Sequence, residues 1–335
     1  MIPRTVALTL LSGLALAGAA SAQDTQPATQ PATTTESTIA KPAALSSTAT
    51  FGVHNERKHN DPEVIEGNPG FLNGLRGFEH FYNPVGQPLY FETPFNNTGL
   101  RFLFLRHEFA DGSQLAGGDV TVVAVQARLA ITERLGFIAT KDGYSWLDAG
   151  ALPEENGWNQ LAAGLKYAFY VDPEQDMVAT AGARLMLVTG EDKVLQSDTE
   201  ELSPFISVAK GFGKFHLIGD MTYRFPFDDD KGNQVFMWDL HADYEVLDGF
   251  APMLELHGCH YMSDGTRLPL SVGGLDYTNL GSSDVDGSSV IWAGVGARYK
   301  FCPHTSVGAT YEFALTDKDD DIMDRRITVD FELTW

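Results

Sequence analysis

The chain is poor in cysteine, in cationic side chains and in long apolar runs. Cys259 and Cys302 are the two cysteines in 335 residues, so one disulfide is the most it can form. Lys and Arg number 23 against 45 Asp and Glu, a formal net charge of −22. That balance argues against nucleic acid, whose phosphates need Lys and Arg. Past the N-terminus no stretch approaches the roughly 18 to 20 uncharged apolar residues of a membrane helix. No G-x-S-x-G, P-loop, C-x-x-C or H-E-x-x-H pattern is present, so no motif offers a catalytic residue, a metal site or a cofactor.

What is present begins with export. Met1 to Arg4 form a short positive region, Val6 to Ala19 an apolar one, and Ala20-Ser21-Ala22 before Gln23 has the small-x-small form of a secretory cleavage site. Residues 1–22 are expected to be a signal peptide. Residues 23–50, rich in Thr, Ala, Pro, Gln and Ser, bury too little to fold and are expected to be a disordered linker. Segment 51–99 carries Phe71, Phe78, Phe81, Tyr82, Tyr90, Phe91 and Phe95 without a clean period. It is open to three readings: a periplasmic lead-in, a cap, or a plug inside a barrel.

At the other end, Ile327, Val329, Phe331, Leu333 and Trp335 alternate with Arg326, Thr328, Asp330, Glu332 and Thr334. A strand sends successive side chains to opposite faces, so this segment has one apolar and one charged face. Its final aromatic resembles the terminal strand of Gram-negative outer-membrane β-barrel proteins, where that residue helps the assembly machinery recognise its client. The run Asn83 to Arg101, with Tyr90-Phe91-Glu92-Thr93-Pro94, is similar to the preface of certain bacterial barrel proteins. The resemblance implies an outer-membrane location, with outer-membrane lipid and the assembly machinery as partners.

From Leu100 onward, residues 100–335 yield 12 strand candidates: about 100–109, 119–131, 135–141, 158–170, 177–189, 202–210, 214–226, 234–246, 252–262, 289–301, 305–315 and 326–335. Short turns lie near Glu133-Arg134, Asp172-Pro173, Gly211 to Gly213, Leu247 to Gly249 and Cys302 to His304. Longer loops lie at 110–118, 142–157, 190–201, 227–233, 263–288 and 316–325. A soluble sandwich has no reason to alternate loop lengths; a bacterial barrel does, with short periplasmic turns and long outer loops. The expected fold is therefore all-β, an antiparallel up-and-down transmembrane barrel of about 12 strands. Ample Gly (33 residues) and aromatics (11%) suit its turns and interfacial girdles. On this map Cys259 and Cys302 sit too far apart for the roughly 7 Å limit of a bridge, and two free thiols are expected.

The polar strand faces carry full charges. The expected lumen-lining set is Lys166, Arg184, His216, Asp220, Arg224, Asp239, His241, Asp243, Glu245, Glu255, His257, Arg298, Lys300, Glu312, Arg326, Asp330 and Glu332. The turn at Asp248-Gly249 roughly pairs His241 with His257 and Asp243 with Glu255. Two His among carboxylates are a conceivable metal set, but a hydrated wall with paired charges is the simpler reading. The facing of 100–109 is undecided, and 202–210 is interrupted by Pro204. The acidic runs Asp228 to Asp230 and Asp317 to Asp321 read as solvated loop tips, with divalent cations such as Ca²⁺ as the alternative partner.

Twelve strands fall between filled eight-stranded barrels and open 16-stranded pores. A narrow channel for small hydrophilic solutes, not an enzyme, is the leading expectation. A closed barrel with a structural or surface-binding role is the alternative. A barrel hydrolase is third: His304-Thr305-Ser306 has the His-x-Ser spacing of outer-membrane phospholipases but lies at a short turn, and His107, Glu108 and Asp264 stand near the outer rim without a distinctive spacing.

Overall fold

The computed structural model describes residues 71–190, 196–319 and 322–335. The expected signal peptide, the linker, the start of segment 51–99 up to residue 70, and residues 320 and 321 of the second acidic run lie outside the described residues.

The described residues form β1 (Gly99–Glu108), β2 (Gly118–Ala130), β3 (Leu135–Lys141), β4 (Tyr144–Ala149), β5 (Glu155–Trp158), β6 (Leu161–Asp172), β7 (Met177–Leu187), β8 (Glu201–Phe212), β9 (Phe215–Pro226), β10 (Val235–Tyr244), β11 (Phe250–Tyr261), β12 (Ser289–Cys302), β13 (Thr305–Ala314) and β14 (Arg325–Thr334). Apart from β3 with β4 and β5 with β6, neighbours in sequence pair antiparallel, and β1 pairs with both β2 and β14, with Arg101 opposite Glu332 and Leu105 opposite Thr328. The sheet is thus closed, which removes the exposed edges that invite aggregation.

Fourteen pieces make twelve barrel strands. β3 pairs with one half of β2 and with β6; β4 pairs with the other half of β2 and with β5. β3 with β4, and β5 with β6, are each one strand broken midway. This corrects the expected loop over 142–157, most of which is wall. Asp142-Gly143 has turn chemistry, but here it only kinks the strand, with Gly143 at φ +94°. The gap in the ladder is patched by side and main chain: Val125 N donates to Asp142 Oδ1 at 3.1 Å and Asn159 N to Gly143 O at 2.8 Å. An outward cleft of about 600 Å³ opens at this break, between Val123, Tyr144, Trp146, Trp158 and Leu161.

The remaining connections alternate as the sequence suggests, long at one end of the barrel and short at the other, down to the two-residue turn Gly213-Lys214. Pro204 sits in β8 where pairing to β9 skips from Leu202 to Phe205, which suits a residue with no N–H. Neither cysteine is in a disulfide; Cys259 is buried and Cys302 exposed.

Alternation decides the faces. Leu240, Tyr244, Leu254, Val295, Tyr311 and Ile327 point outward and are exposed, Leu254 by 63%. In β1, Phe102 and Phe104 point outward while Arg101, Leu103, Leu105 and His107 point inward. Apolar area on this scale is unfavourable in water, at about 25 cal/mol per Å², and neutral against hydrocarbon. An apolar belt outside and charges inside is the arrangement of a transmembrane barrel.

Candidate functional site

The lumen is occupied. Residues 71–98 run into it from the short-turn end, turn over, and run back to β1. The path is irregular, so its backbone groups need partners other than a ladder, and the wall supplies them. On the way in, Lys300 Nζ donates to Phe81 O at 2.5 Å and Arg298 Nε to Asn83 O at 2.9 Å. Arg101 Nη2 donates to Pro84 O and Val85 O at 3.1 and 3.2 Å. At the turn, Gln87 adopts φ +46° and its Oε1 accepts from Tyr90 N and Phe91 N at 2.9 and 2.7 Å. On the way out, Arg184 Nη2 donates to Tyr90 O, Thr180 Oγ1 to Pro94 O, and Asn96 Nδ2 to Thr132 O and Glu133 O. Apolar packing of Phe78, Phe81, Phe91 and Phe95 against Ala168, Val178, Ala209 and Ile218 fills the sector between.

The loop between β11 and β12 enters from the long-loop end. Arg224 Nη1 donates to Leu275 O at 2.6 Å, Lys141 Nζ to Tyr277 O at 3.1 Å, and Arg326 makes two bonds to Asp276 at 2.9 and 2.6 Å. The two inserted segments meet at one ion pair. Glu201 accepts from Arg224 Nε at 2.8 Å, from Tyr90 OH at 2.8 Å and from Asn279 Nδ2 at 3.2 Å. The Arg224 guanidinium also lies 4.6 Å over the Tyr90 ring.

The residues expected on the inner face fall into three groups along the wall. Near the short turns, Arg298 and Arg101 share Asp330 at 2.7 and 2.5 Å, and Arg298 reaches Glu332 at 3.1 Å. Lys300 stands beside them, and Glu245 is half-buried just past β10. In the middle, His216 Nδ1 donates to Asp243 at 2.7 Å, His241 reaches Asp243 and Glu255 from its two nitrogens at 3.1 and 3.0 Å, and His257 Nδ1 donates to Asp239 at 2.7 Å. Asp220 is buried directly opposite Asp239, and Glu312 accepts from Trp292 Nε1 at 3.0 Å. Lys166 on β6 and Arg184 on β7 are bonded to the inner segment. Toward the long loops stand Arg224 and Arg326.

The pairing expected within the β10–β11 hairpin is corrected. Asp239 stands opposite His257 and His241 opposite Glu255. The turn is Asp248-Gly249 as expected, closed by the Leu247–Phe250 bridge. Val246 N and Leu247 N both donate to Phe250 O, an extra residue on the β10 side, and each β10 residue pairs two positions earlier on β11 than expected. Among the described residues no group of three or more His, Cys, Asp or Glu is disposed to hold a metal ion.

Sequence reading missed Glu92, Arg128, Glu201 and Asp276. Glu92 accepts from Lys166 Nζ at 2.8 Å and from Arg128 Nε and Nη2 at 3.0 and 2.8 Å. Burial opposes its charge, but Arg128 and Lys166 outweigh that and hold its carboxyl well below the usual range. Burial likewise opposes charge on Asp276, and Arg326 overcomes it, leaving that carboxyl lowered. The apolar residues Val272, Leu275, Tyr277 and Leu280 inside a supposed outer loop were the available signal, since they pack into an inner cluster with Leu103, Leu105 and Val122.

The other candidates do not assemble. His304 is exposed at the short turn, whereas Ser306 faces inward and accepts from Arg298 Nη1. His107 is buried and accepts from Arg326, Glu108 pairs with Arg325 outside, and Asp264 caps the N–H groups of Val285 and Asp286. In the first acidic run, Asp229 and Asp230 are exposed, and the partly exposed Asp228 pairs with Lys231 at 3.4 Å.

No known family model matches the sequence, and no curated protein matches it. Solved structures do resemble its fold. An outer-membrane channel from Pseudomonas putida F1 superposes with a TM-score of 0.53 at 13% identity, over 76% of this chain and 100% of that one. A NanC porin (TM-score 0.41, 11% identity, 71% of this chain and 100% of that one) and a KdgM porin in complex with disordered oligogalacturonate (0.40, 14%, 70% and 99%) are more distant. The first of these likenesses shows the fold of an outer-membrane barrel.

Proposed function

We propose that this chain is a bacterial outer-membrane channel for small hydrophilic solutes, closed at rest by its own inner segment. One observation carries the reading: residues 71–98 fill a charged lumen through non-covalent, mostly polar contacts. Such contacts exchange readily with water when the segment withdraws, and the wall left behind is hydrophilic. A barrel filled only for rigidity has no need of buried charges, which apolar side chains of equal volume replace without loss. The short turns and the segment's point of insertion then face the periplasm, and residues 1–22 direct export. Trp335, exposed at the short-turn rim, is available to the assembly machinery. Solutes enter past the long loops, where Asp228 to Asp230 give an acidic rim.

The test is planar-bilayer conductance of the refolded mature protein beside a variant lacking residues 51–99. Small or intermittent steps from the full chain and larger, steady ones from the deletion are expected. Silence from both, with folding confirmed by heat-modifiable gel mobility, sinks the channel reading. That outcome favours a second one, a closed barrel that binds at the surface, which draws on the insertion of the 263–288 loop from the opposite end.

A further inference from the structure

The tip of the inner segment offers three successive backbone N–H groups to two carboxylates. Val85 N donates to Glu255 Oε1 at 2.8 Å, Gly86 N to Glu255 Oε2 at 2.8 Å, and Gln87 N to Glu312 Oε1 at 3.3 Å. Three convergent N–H donors against anionic oxygens are the donor set of one primary ammonium group. Peptide N–H groups satisfy those oxygens but bring no charge to balance them.

His257 is a second, independent sign of a ligand. Its Nδ1 donates to Asp239, so the lone pair is on Nε2, and that atom is fully buried without a hydrogen-bond partner. It faces the same niche. A Cβ placed on Gly86 meets Glu255 Oε2 at 2.5 Å, His257 Nε2 at 3.0 Å and Glu312 Cδ at 3.1 Å. Only a residue without a side chain seats there. The wall is shaped to match: Gly294 is the register partner of both Glu255 and Glu312, so no side chain separates the two carboxylates.

Charge in this sector favours a cation. Asp220, Asp239, Asp243, Glu255 and Glu312 line it, with His241 between two of them. Arg326 stands 3.7 Å from Glu312 but is already bonded twice to Asp276. Asp220 Oδ2 has no hydrogen-bond partner.

We propose that the Glu255–Glu312–His257 niche is a subsite for a primary ammonium group on the transported solute, and that residues 85–87 occupy it as an internal surrogate. The proposal rests on the channel reading and names its solute class. Solute and segment tip then compete for one set of oxygens. An amine that binds the withdrawn state displaces the tip, and the population shifts toward the open barrel by its differential affinity.

The experiment compares n-propylammonium chloride with tetramethylammonium chloride, equal in charge but without N–H donors, on the refolded mature protein. Trp292 is a built-in reporter, stacked on His257 at 5.3 Å and bonded to Glu312. Propylammonium is expected to change its fluorescence and raise open probability in bilayers, and tetramethylammonium to do neither. Trp292→Phe identifies the optical signal. Glu255→Gln should weaken the response about tenfold, the loss of one charge-assisted hydrogen bond, with Glu312→Gln as the second variant if the first fails to fold. If the deletion variant conducts but the two cations act alike, or neither Gln variant alters the response, the subsite is overturned and the channel stands. If the deletion variant is silent though folded, the channel reading fails. The fluorescence then decides: a response specific to propylammonium and lost in Glu255→Gln supports the subsite, and its absence overturns it.

Discussion

Lys166 Nζ lies 2.8 Å from Glu92 Oε1, and both side chains are about 1% exposed. The same ammonium donates to Thr93 O at 3.0 Å and Phe95 O at 2.6 Å. All three of its protons are thus spent on one short stretch of the inner segment, and β6 holds that stretch in the lumen.

Lys166→Met removes this hold while keeping the volume of the stem. It leaves Glu92 buried with Arg128 alone, and breaking one partner from a buried pair typically costs about 3–5 kcal/mol. The loss falls on docking of the segment, since the β6 ladders to β3 and β7 are untouched. Faster protease nicking within 71–98 and more frequent openings in bilayers are expected, with the barrel's gel mobility preserved. Unchanged nicking shows that the apolar contacts of Phe91 and Phe95 suffice.

The pH response follows from the same groups. Glu92 and Asp276 are held below their ordinary values of 4.5 and 3.8. A carboxyl with a lowered folded pKa contributes stability that is complete above its ordinary value and is lost as pH falls through the folded one. Docking of both inserted segments is therefore expected to be level from about pH 8 to about pH 5 and to weaken only in stronger acid. Protease protection of residues 71–98 measured across that range is the check. A midpoint near pH 6 contradicts it and points to the histidines instead.

The wall of this barrel was legible in the sequence because a pleated strand enforces a period of two. Arg326 to Trp335, or Phe236 to Tyr244, declare their faces residue by residue, and loop lengths separate the two ends of the barrel. The broken strand was not legible, since Lys141-Asp142-Gly143 carries the same chemistry whether it ends a strand or kinks one. The inner segment showed aromatic content but no period, because its backbone is held by distant side chains: Gln126 to Pro88 O, Lys300 to Phe81 O, Glu255 to Gly86 N. Such bonds leave no local pattern. Most lumen charges were found by their strand position, though Arg128 on β2 and Glu201 at the start of β8 were missed, whereas Glu92 and Asp276 sit on irregular backbone and had no position to betray them.

The outward belt makes a separate prediction. Leu254 lies midway along β11, facing outward. Leu254→Arg is expected to lower stability in lipid vesicles by about 2–4 kcal/mol, the cost of Arg near a bilayer midplane. The comparison is Leu247→Arg, exposed beside the Asp248-Gly249 turn at the short-turn rim, where the cost should be smaller. Equal and negligible effects in both variants would mean that this face meets no hydrocarbon.

A covalent lock tests withdrawal of the segment most directly. A Cβ on Gly308 falls 2.5 Å from Val85 Cγ2, close enough for a disulfide between Val85→Cys and Gly308→Cys once Cys259 and Cys302 are replaced. Gly308 is crowded by Asp330 and Arg298, so each single variant is measured alone to register that strain. The oxidised pair is expected to abolish the bilayer openings seen in the singles, and reduction to restore them. The bond ties the segment to β13 just beside the carboxylates that hold its tip. Withdrawal is then prevented while every lumen charge remains in place. Openings that persist in the oxidised form would mean that ions pass with the segment seated, through the cavity of about 90 Å³ at the short-turn mouth and the gaps beyond it.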